Sequence, residues 1–322
     1  MADFKATADD VRHAYRLLLG REPDPSGLES FRRLMADQRV SAMDVAATIT
    51  SSEEFKSRHN SAPMLEEIEF QGFKLYPWRG DSLIGANVQA SGEYESNVLP
   101  LFLEHVPVGG TVLDVGANIG IYTLSAARKV GASGHVFAIE PIARNVQSIC
   151  AGVLGNGFRN VSVLPVAASA VPGVVPILRN ANSSNGIVDM HVTPAMADAF
   201  VPAQPIDFLL HGLDRLDIIK IDIEGHEPIA WPSLEVLVRK HRPIVFTEFN
   251  PVAIRNHSRV EPEVYLRGLF AHTKSMQTLH FDGERVACTS PDQVMEQWRQ
   301  VNRRAETDGT CHLDLMFNTD FG

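Results

Sequence analysis

Cysteine is scarce in this 322-residue chain: Cys150, Cys288 and Cys311 are far apart and odd in number. They supply neither a disulfide framework nor a CxxC metal site. Positive charge is also short. Lys and Arg number 29 against 39 Asp and Glu, a formal net charge of −10. A chain this acidic lacks the bulk positive field that draws proteins to phosphate backbones, so a nucleic-acid partner is disfavoured. No stretch approaches the ~18–20 uncharged apolar residues of a membrane span. The opening MADFKATADD has no basic segment followed by an apolar run, so no secretory signal is expected and the chain reads as cytoplasmic. The hydrophobic share, 44%, is enough for a core and excludes wholesale disorder.

What is present divides into two textures. Residues 1–60 read as a small all-α bundle of about four short helices. Thr7 can cap the first, with Asp10 three residues on and Val11, Ala14, Tyr15 and Leu18 at helical spacing. Gly20 ends it and Pro23 to Gly27 make a turn. Leu28, Phe31, Leu34 and Met35 mark a second helix. Ser41 caps a third carrying Val45, Ala46 and Ile49, and Ser51 to Glu54 open a fourth with Phe55 inward. Asn60-Ser61-Ala62-Pro63 is the expected linker.

Residues 61–322 form the second domain. Ile68, Phe70 and Phe73 suggest short strands, and Tyr94 to His105 an amphipathic helix. Runs typical of strands buried on both faces follow at 111–115, 135–139, 161–166, 218–222 and 243–247. Helical stretches fall between them at 121–130, 143–154 and 229–240. Strands alternating with helices predict a parallel, doubly wound α/β sheet, and 312–317 a last strand, parallel or antiparallel.

The most informative stretch is Asp114-Val115-Gly116-Ala117-Asn118-Ile119-Gly120, between a buried strand and a helix. Gly116 and Gly120 permit a tight turn and close approach of a ligand to the backbone. The spacing is G-x-x-x-G, without the third glycine of dinucleotide sites. A carboxylate at Asp114 sits poorly beside a pyrophosphate. It suits a ligand bearing an ammonium and a sulfonium, as S-adenosylmethionine does. Glu140 ends the second strand, where a carboxylate can accept from both ribose hydroxyls. The bland alternative is that both acids cap the helices that follow them.

With Ile121-Tyr122-Thr123 after the loop, Ile139-Glu140-Pro141 and Asn145, the sequence resembles the FkbM-type S-adenosylmethionine-dependent methyltransferases. Lys220-Ile221-Asp222-Ile223-Glu224-Gly225-His226-Glu227 is similar to that family's K-x-D-x-E-G-x-E block. Thr247 to Pro251 and His312-Leu313-Asp314-Leu315 fit its end. The resemblance covers roughly residues 66–320, with one departure: Trp231-Pro232-Ser233 stands where the family has Leu-x-Gly. It implies a class I, Rossmann-like methyltransferase sheet. It also implies cofactor contacts at Asp114, Gly116, Ala117, Asn118, Gly120, Tyr122, Thr123, Glu140, Pro141, Asn145 and Asp222. Separately, Ala14-Tyr15-Arg16, Leu19 to Asp24, Gly27 and Ser52-Glu53-Glu54-Phe55 resemble the DUF4214 helical module, which hints at bacterial glycan assembly and at a protein partner.

Methyl transfer from a sulfonium to oxygen needs alignment and a route for the hydroxyl proton. Asp222 and Glu224, two apart at the end of the fourth strand, fall on one face if the strand continues. Glu248 ends the fifth strand. Three readings stay open: Asp222, Glu224, His226 or Glu248 as general base; Asp222, Glu224, Glu227 and Glu248 around a hard divalent ion; or acids that only cap helices and meet the cofactor's ammonium. Lys220 reads as a structural partner. Glu95 can reach the cofactor's amino-acid end or make a surface ion pair. Ala167 and Ala168, after Val166 at the end of the third strand, leave room for an adenine. Asn182 to Gly186 is a surface turn or an acceptor contact, and His257, His272 and His280 show no recognisable metal spacing. The expected activity is O-methylation of a sugar, glycan or secondary metabolite. The rivals are a non-catalytic S-adenosylmethionine-binding adaptor and an NAD-linked sugar oxidoreductase.

Overall fold

The computed structural model describes residues 5–19, 21–37, 40–55, 64–179, 186–188 and 194–320. Two compact units divide at Met64/Leu65. Gly20, the stretch Asn60 to Pro63 and residues 182–185 lie outside the described residues.

The first unit contains α1 (Ala8–Leu19), α2 (Pro25–Asp37) and α3 (Ala42–Ser51). Thr7 and Asp10 exchange hydrogen bonds across the first turn of α1, and Ser41 with Asp44 forms a reciprocal capping box on α3. Each pair satisfies amides that the helix start leaves orphaned. The second helix begins inside the span expected to be a turn. Asp24 accepts from the Gly27 amide at 2.8 Å, and Pro25, whose fixed φ suits the first helical position, follows it. Val11, Tyr15, Leu19, Phe31, Met35, Val45 and Ile49 form one buried cluster, with Phe55 packed against it.

The second unit opens with a two-stranded ribbon, β1 (Ile68–Phe70) and β2 (Phe73–Leu75). The helix expected over 94–105 covers only Leu99–His105, with Pro100 in its first turn. The main-sheet strands are β3 (Thr111–Val115), β4 (His135–Ile139) and β5 (Val161–Leu164). Between β5 and the next of them, β6 (Ala167–Ser169), β7 (Gly173–Arg179), β8 (Gly186–Val188) and β9 (Ala199–Pro205) make a separate four-stranded sheet. Then come β10 (Ile218–Ile221), β11 (Ile244–Phe249), β12 (Met276–Leu279), β13 (Arg285–Cys288) and β14 (Leu313–Asn318).

The eight-stranded order is β13-β12-β14-β11-β10-β3-β4-β5. Strands β5, β4, β3, β10 and β11 run parallel, while β14 pairs antiparallel with both β11 and β12. A doubly wound sheet whose strand order reverses beside β3, with one late antiparallel strand inserted, is the class I methyltransferase arrangement the sequence led us to expect. The expected burial of β5 on both faces also fails. Its four residues are all partly exposed, because it is an edge strand of the sheet.

Register sorts the side chains. Val112, Ile218, Phe246 and Met316 point into one core cluster; Leu113, Ile219, Val245 and Leu315 point into the other. Lys220 aligns with Asp114 and with Phe246, and Glu248 aligns with Asp314. Since alternate residues share a face, Asp114, Lys220, Glu248 and Asp314 lie on one face, at the carboxyl ends of the parallel strands. Ligands of open α/β sheets bind at that edge.

Candidate active site

A cavity of about 380 Å³ lies along this edge, within the range of small-molecule sites. The turn after β3 forms one wall. Gly116, Asn118 and Gly120 all have positive φ, at 89°, 53° and 95°. The amides of Gly116 and Ala117 both donate to the Ile139 carbonyl, at 2.9 and 3.0 Å. Gly120 does not line the cavity. It takes the left-handed N-cap position of the helix Ile121–Val130.

Asp114 and Glu140 are buried, 2% and 4% exposed. Thr123 donates to Asp114 at 2.6 Å, which places Thr123 beneath the cavity rather than in its lining. Burial pushes the Asp114 carboxyl up to about 6 and that of Glu140 up to about 7. Glu140 accepts from the amides of Asn118 at 2.8 Å and Ile142 at 2.9 Å, and from Asn145 at 3.3 Å. It therefore fastens the two loops, as the capping alternative required. A carboxylate has about four acceptor positions, so these three bonds leave about one for a ribose hydroxyl. Pro141 and Asn145 line the cavity beside it, as do Ala117 and Asn118.

Ala167 and Ala168 also line the cavity. They do so as the start of β6, in the small sheet, and not as the end of β5, which stops at Leu164. Glu95, with φ 39°, accepts from the Tyr122 hydroxyl at 2.5 Å. Both residues line the cavity.

The acidic block forms the other half. Strand β10 stops at Ile221, so Asp222 and Glu224 do not continue it. The chain turns at once, with Glu224 at φ 57° and Gly225 at φ 91°. A Cβ on Gly225 would lie 2.5 Å from the Ala253 carbonyl carbon, so only glycine fits. Glu227 accepts from the amides of Ile223 at 2.9 Å and Gly225 at 3.2 Å; it ties the turn and does not line the cavity. His257 spends its Nδ1 on the Glu224 carbonyl at 2.6 Å.

Lys220, 1% exposed, donates to Asp222 at 2.9 Å and lies 4.9 Å from the centre of the Tyr122 ring. Although burial works against its charge, the lysine holds Asp222 down at about 2. Glu248 is hydrogen-bonded to Asp222. Burial, and then the neighbouring Asp222 charge, push Glu248 well above the carboxylate range. The pair is thus one carboxylate and one carboxylic acid, because two unpaired charges cannot both be held there. Burial also raises Glu224 to about 7. His226 is 1% exposed with neither ring nitrogen bonded, and burial lowers it to about 4.

The divalent-ion reading of Asp222, Glu224, Glu227 and Glu248 finds no common ligand point. Among the described residues, the one group with ligand atoms all within 4.8 Å of one another is His280, Asp282 and Glu284. It contains neither His257 nor His272. Arg304 already faces both acids, at 3.9 and 3.1 Å. His272 pairs with Glu235 at 2.8 Å.

Sequence reading missed three polar lining residues, Asn250, Thr310 and His312, and did not place Lys220 in the wall. Their positions depend on β14 pairing with β11, a contact between segments some 65 residues apart that local pattern does not encode.

Residues 114–264 match the model of the methyltransferase FkbM domain. The chain carries an FkbM-type methyltransferase domain, and its chemistry is S-adenosylmethionine-dependent methylation. Residues 4–59 match DUF4214, a domain of unknown function. No curated protein matches the chain. Among solved structures, it is similar to an S-adenosylmethionine-dependent methyltransferase from Aquifex aeolicus, at 18% identity, 69% of this chain, 87% of that one and a TM-score of 0.32. It is also similar to the O-methyltransferase TomG from Streptomyces achromogenes, at 11% identity, 70% and 79% coverage and a TM-score of 0.38. A third is an rRNA methylase from Streptococcus thermophilus, at 8% identity, 69% and 93% coverage and a TM-score of 0.39. No helix among the described residues is long and apolar enough to cross a membrane. The buried acids Asp114 and Glu140, both lining the cavity, fit the ammonium and ribose of that cofactor, while Gly116 is required by its contact with the Asp222 backbone.

Proposed function

We propose that this protein methylates a hydroxyl oxygen of a sugar, glycan or secondary metabolite. The observation that carries the reading is the composition of one cavity: Asp114 and Glu140 in one half, Asp222, Glu224, His226 and Glu248 in the other. Bound S-adenosylmethionine supplies an electrophilic methyl on a sulfonium. Glu140 accepts from the ribose, Gly116 to Asn118 present backbone at close range, and Asp114 with Glu95 faces the ammonium end. Asp222, kept ionised by Lys220, is the wall between the methionine end and the acceptor.

The acceptor half carries carboxyl groups and histidines, and its one lysine is already paired. Among the described residues it offers hydrogen bonds to a polyhydroxylated acceptor and no free lysine or arginine for a phosphate, which supports a sugar over a nucleic acid. The helical unit, by the same reading, recruits a protein partner.

Calorimetric titration with S-adenosylhomocysteine, with NAD as control, tests this. Micromolar binding that is lost in Asp114→Ala and weakened in Glu140→Ala supports the cofactor half. Alanine at Asp222, Glu224 or Glu248 then abolishes methylation while binding persists. A folded protein that ignores S-adenosylhomocysteine returns the reading to an adaptor, and NAD binding overturns it.

A further inference from the structure

We propose that His312 is the general base that takes the proton from the acceptor hydroxyl. The inference rests on the methyltransferase reading above.

The lateral order of the sheet sets the layout. Along its carboxyl edge, β4 brings Glu140, β3 Asp114, β10 Asp222, β11 Glu248, and β14 begins just after His312. Neighbouring strands are about 4.8 Å apart. The ribose and ammonium sites therefore occupy β4 and β3, and the methyl falls near β10. An acceptor attacking in line from the far side of the methyl lies over β11, between Asp222 and the β14 end. His312 lines the cavity there.

The imidazole is also in the right state. Its Nδ1 lies 3.5 Å from Glu248 Oε1 and its Nε2 3.8 Å from Asp314 Oδ2. The Phe281 ring stands edge-on at 5.1 Å. Among the described residues neither nitrogen makes a hydrogen bond of ordinary length, and the Glu248 and Asp314 carboxyls flank the ring. The titratable groups facing it are Glu248 from β11 and Asp314 from β14, both held protonated by burial, with Lys220 from β10, Asp222 just after it, and Glu95. Burial lowers its pKa, so the ring is neutral and able to accept at neutral pH.

The four candidates read from sequence fit less well. Asp222 is ion-paired and a weak base, Glu248 holds its proton toward Asp222, His226 is lowered too far by burial, and Glu224 sits in the turn after β10 and not over β11. In the step, the hydroxyl proton passes to a ring nitrogen of His312 as the O–CH3 bond forms. The C–S bond breaks with its electron pair going to sulfur, leaving neutral S-adenosylhomocysteine. The imidazolium then releases the proton to water, since the side chain is 33% exposed.

A base beside the methyl must sense the sulfonium charge. The test is a proton NMR titration of the histidine-labelled full chain, with the His312 signal assigned by His312→Gln. Saturating S-adenosylmethionine should lower the His312 pKa by about one unit relative to S-adenosylhomocysteine, which lacks the charge. His257, whose ring is tied to backbone, should move less. Equal His312 titration in the two complexes overturns the proposal, while failure of either ligand to bind overturns the methyltransferase reading instead. On an acceptor that turns over, His312→Gln and His312→Asn should lower kcat at least about 100-fold, leave the affinity for S-adenosylhomocysteine unchanged and respond to added imidazole. Retained kcat in both variants also overturns it.

Discussion

A Cβ placed on Gly116 would lie 1.8 Å from the carbonyl oxygen of Asp222. The two loops that follow the paired strands β3 and β10 thus touch backbone to backbone, and the cofactor turn and acidic block are one rigid piece. Gly116 also has φ 89°, where a side chain adds about 1–2 kcal/mol of strain. Gly116→Ala must push the loops apart, adding about 1–3 kcal/mol of overpacking. We expect it to lower the thermal midpoint by several degrees and to abolish S-adenosylhomocysteine binding in the fraction that remains folded. Differential scanning calorimetry and isothermal titration on the same sample check both.

Asp114 makes cofactor binding pH-dependent. Its carboxyl, raised by burial to about 6, pairs with an ammonium only when ionised. Affinity for S-adenosylhomocysteine should be flat above about pH 7 and fall about tenfold per unit below about pH 6. Asp114→Asn should bind more weakly at pH 7.5 and lose that slope. A wild-type slope retained in the variant would assign the dependence elsewhere, with Glu140 the first alternative.

The sheet and the cofactor turn were legible in sequence because their signals are local. Thr111–Val115 and Ile218–Ile221 are continuous apolar runs interrupted only by Asp114 and Lys220, and the loop glycines sit within seven residues of the strand. The acidic block was legible in composition but not in role. Glu227 looks like Asp222 in sequence, yet it serves two amides of its own turn. Lys220 looked structural until register set it beside Asp114 and its ammonium beside Asp222. The small sheet β6–β9 went unread because its strands carry Pro176 and Pro202 and little alternation. The departure Trp231-Pro232-Ser233 is absorbed locally: Ser233 accepts from the Ile206 amide at 2.9 Å and Trp231 packs edge-on against Tyr265.

The cofactor-free protein should be less stable at pH 8 than at pH 5. Burial raises the carboxyls of Glu140, Glu224 and Glu227 from 4.5 to about 7 and that of Asp314 from 3.8 to about 8. Between about pH 4.5 and 8 the folded chain holds more protons than the unfolded one, so stability is present below that window and lost as pH rises through it. Asp222 acts in the opposite sense: its stabilisation holds above about pH 4 and is lost toward pH 2. We expect a midpoint near pH 5 at least ~5 °C above that at pH 8, measured by calorimetry, with the gap narrowed in Glu140→Gln. A midpoint that rises from pH 5 to pH 8 would contradict the burial of these acids.

Removing residues 1–64 should leave the affinity for S-adenosylhomocysteine within about twofold. Every residue that lines the cavity belongs to 84–312, and each unit has its own apolar cluster. A shift under twofold is below about 0.5 kcal/mol. Loss of binding in a truncated chain that still melts cooperatively would mean the helical unit contributes to the site.

Glu224 sits at φ 57°, a conformation that costs a side-chain-bearing residue about 1–2 kcal/mol and glycine nothing. Among the described residues no side-chain hydrogen bond repays it: the contact there, from His257, goes to the Glu224 carbonyl. A strained residue kept at the wall of a cavity is most simply kept for its side chain. Glu224→Gly should therefore be at least as stable as the wild type above pH 7, where a half-buried ionised carboxylate is also removed. Its affinity for S-adenosylhomocysteine should change little, while methylation of a hydroxyl acceptor falls at least about tenfold. A Glu224→Gly protein that is less stable than wild type, with undiminished turnover, would make this glutamate a structural residue of the turn.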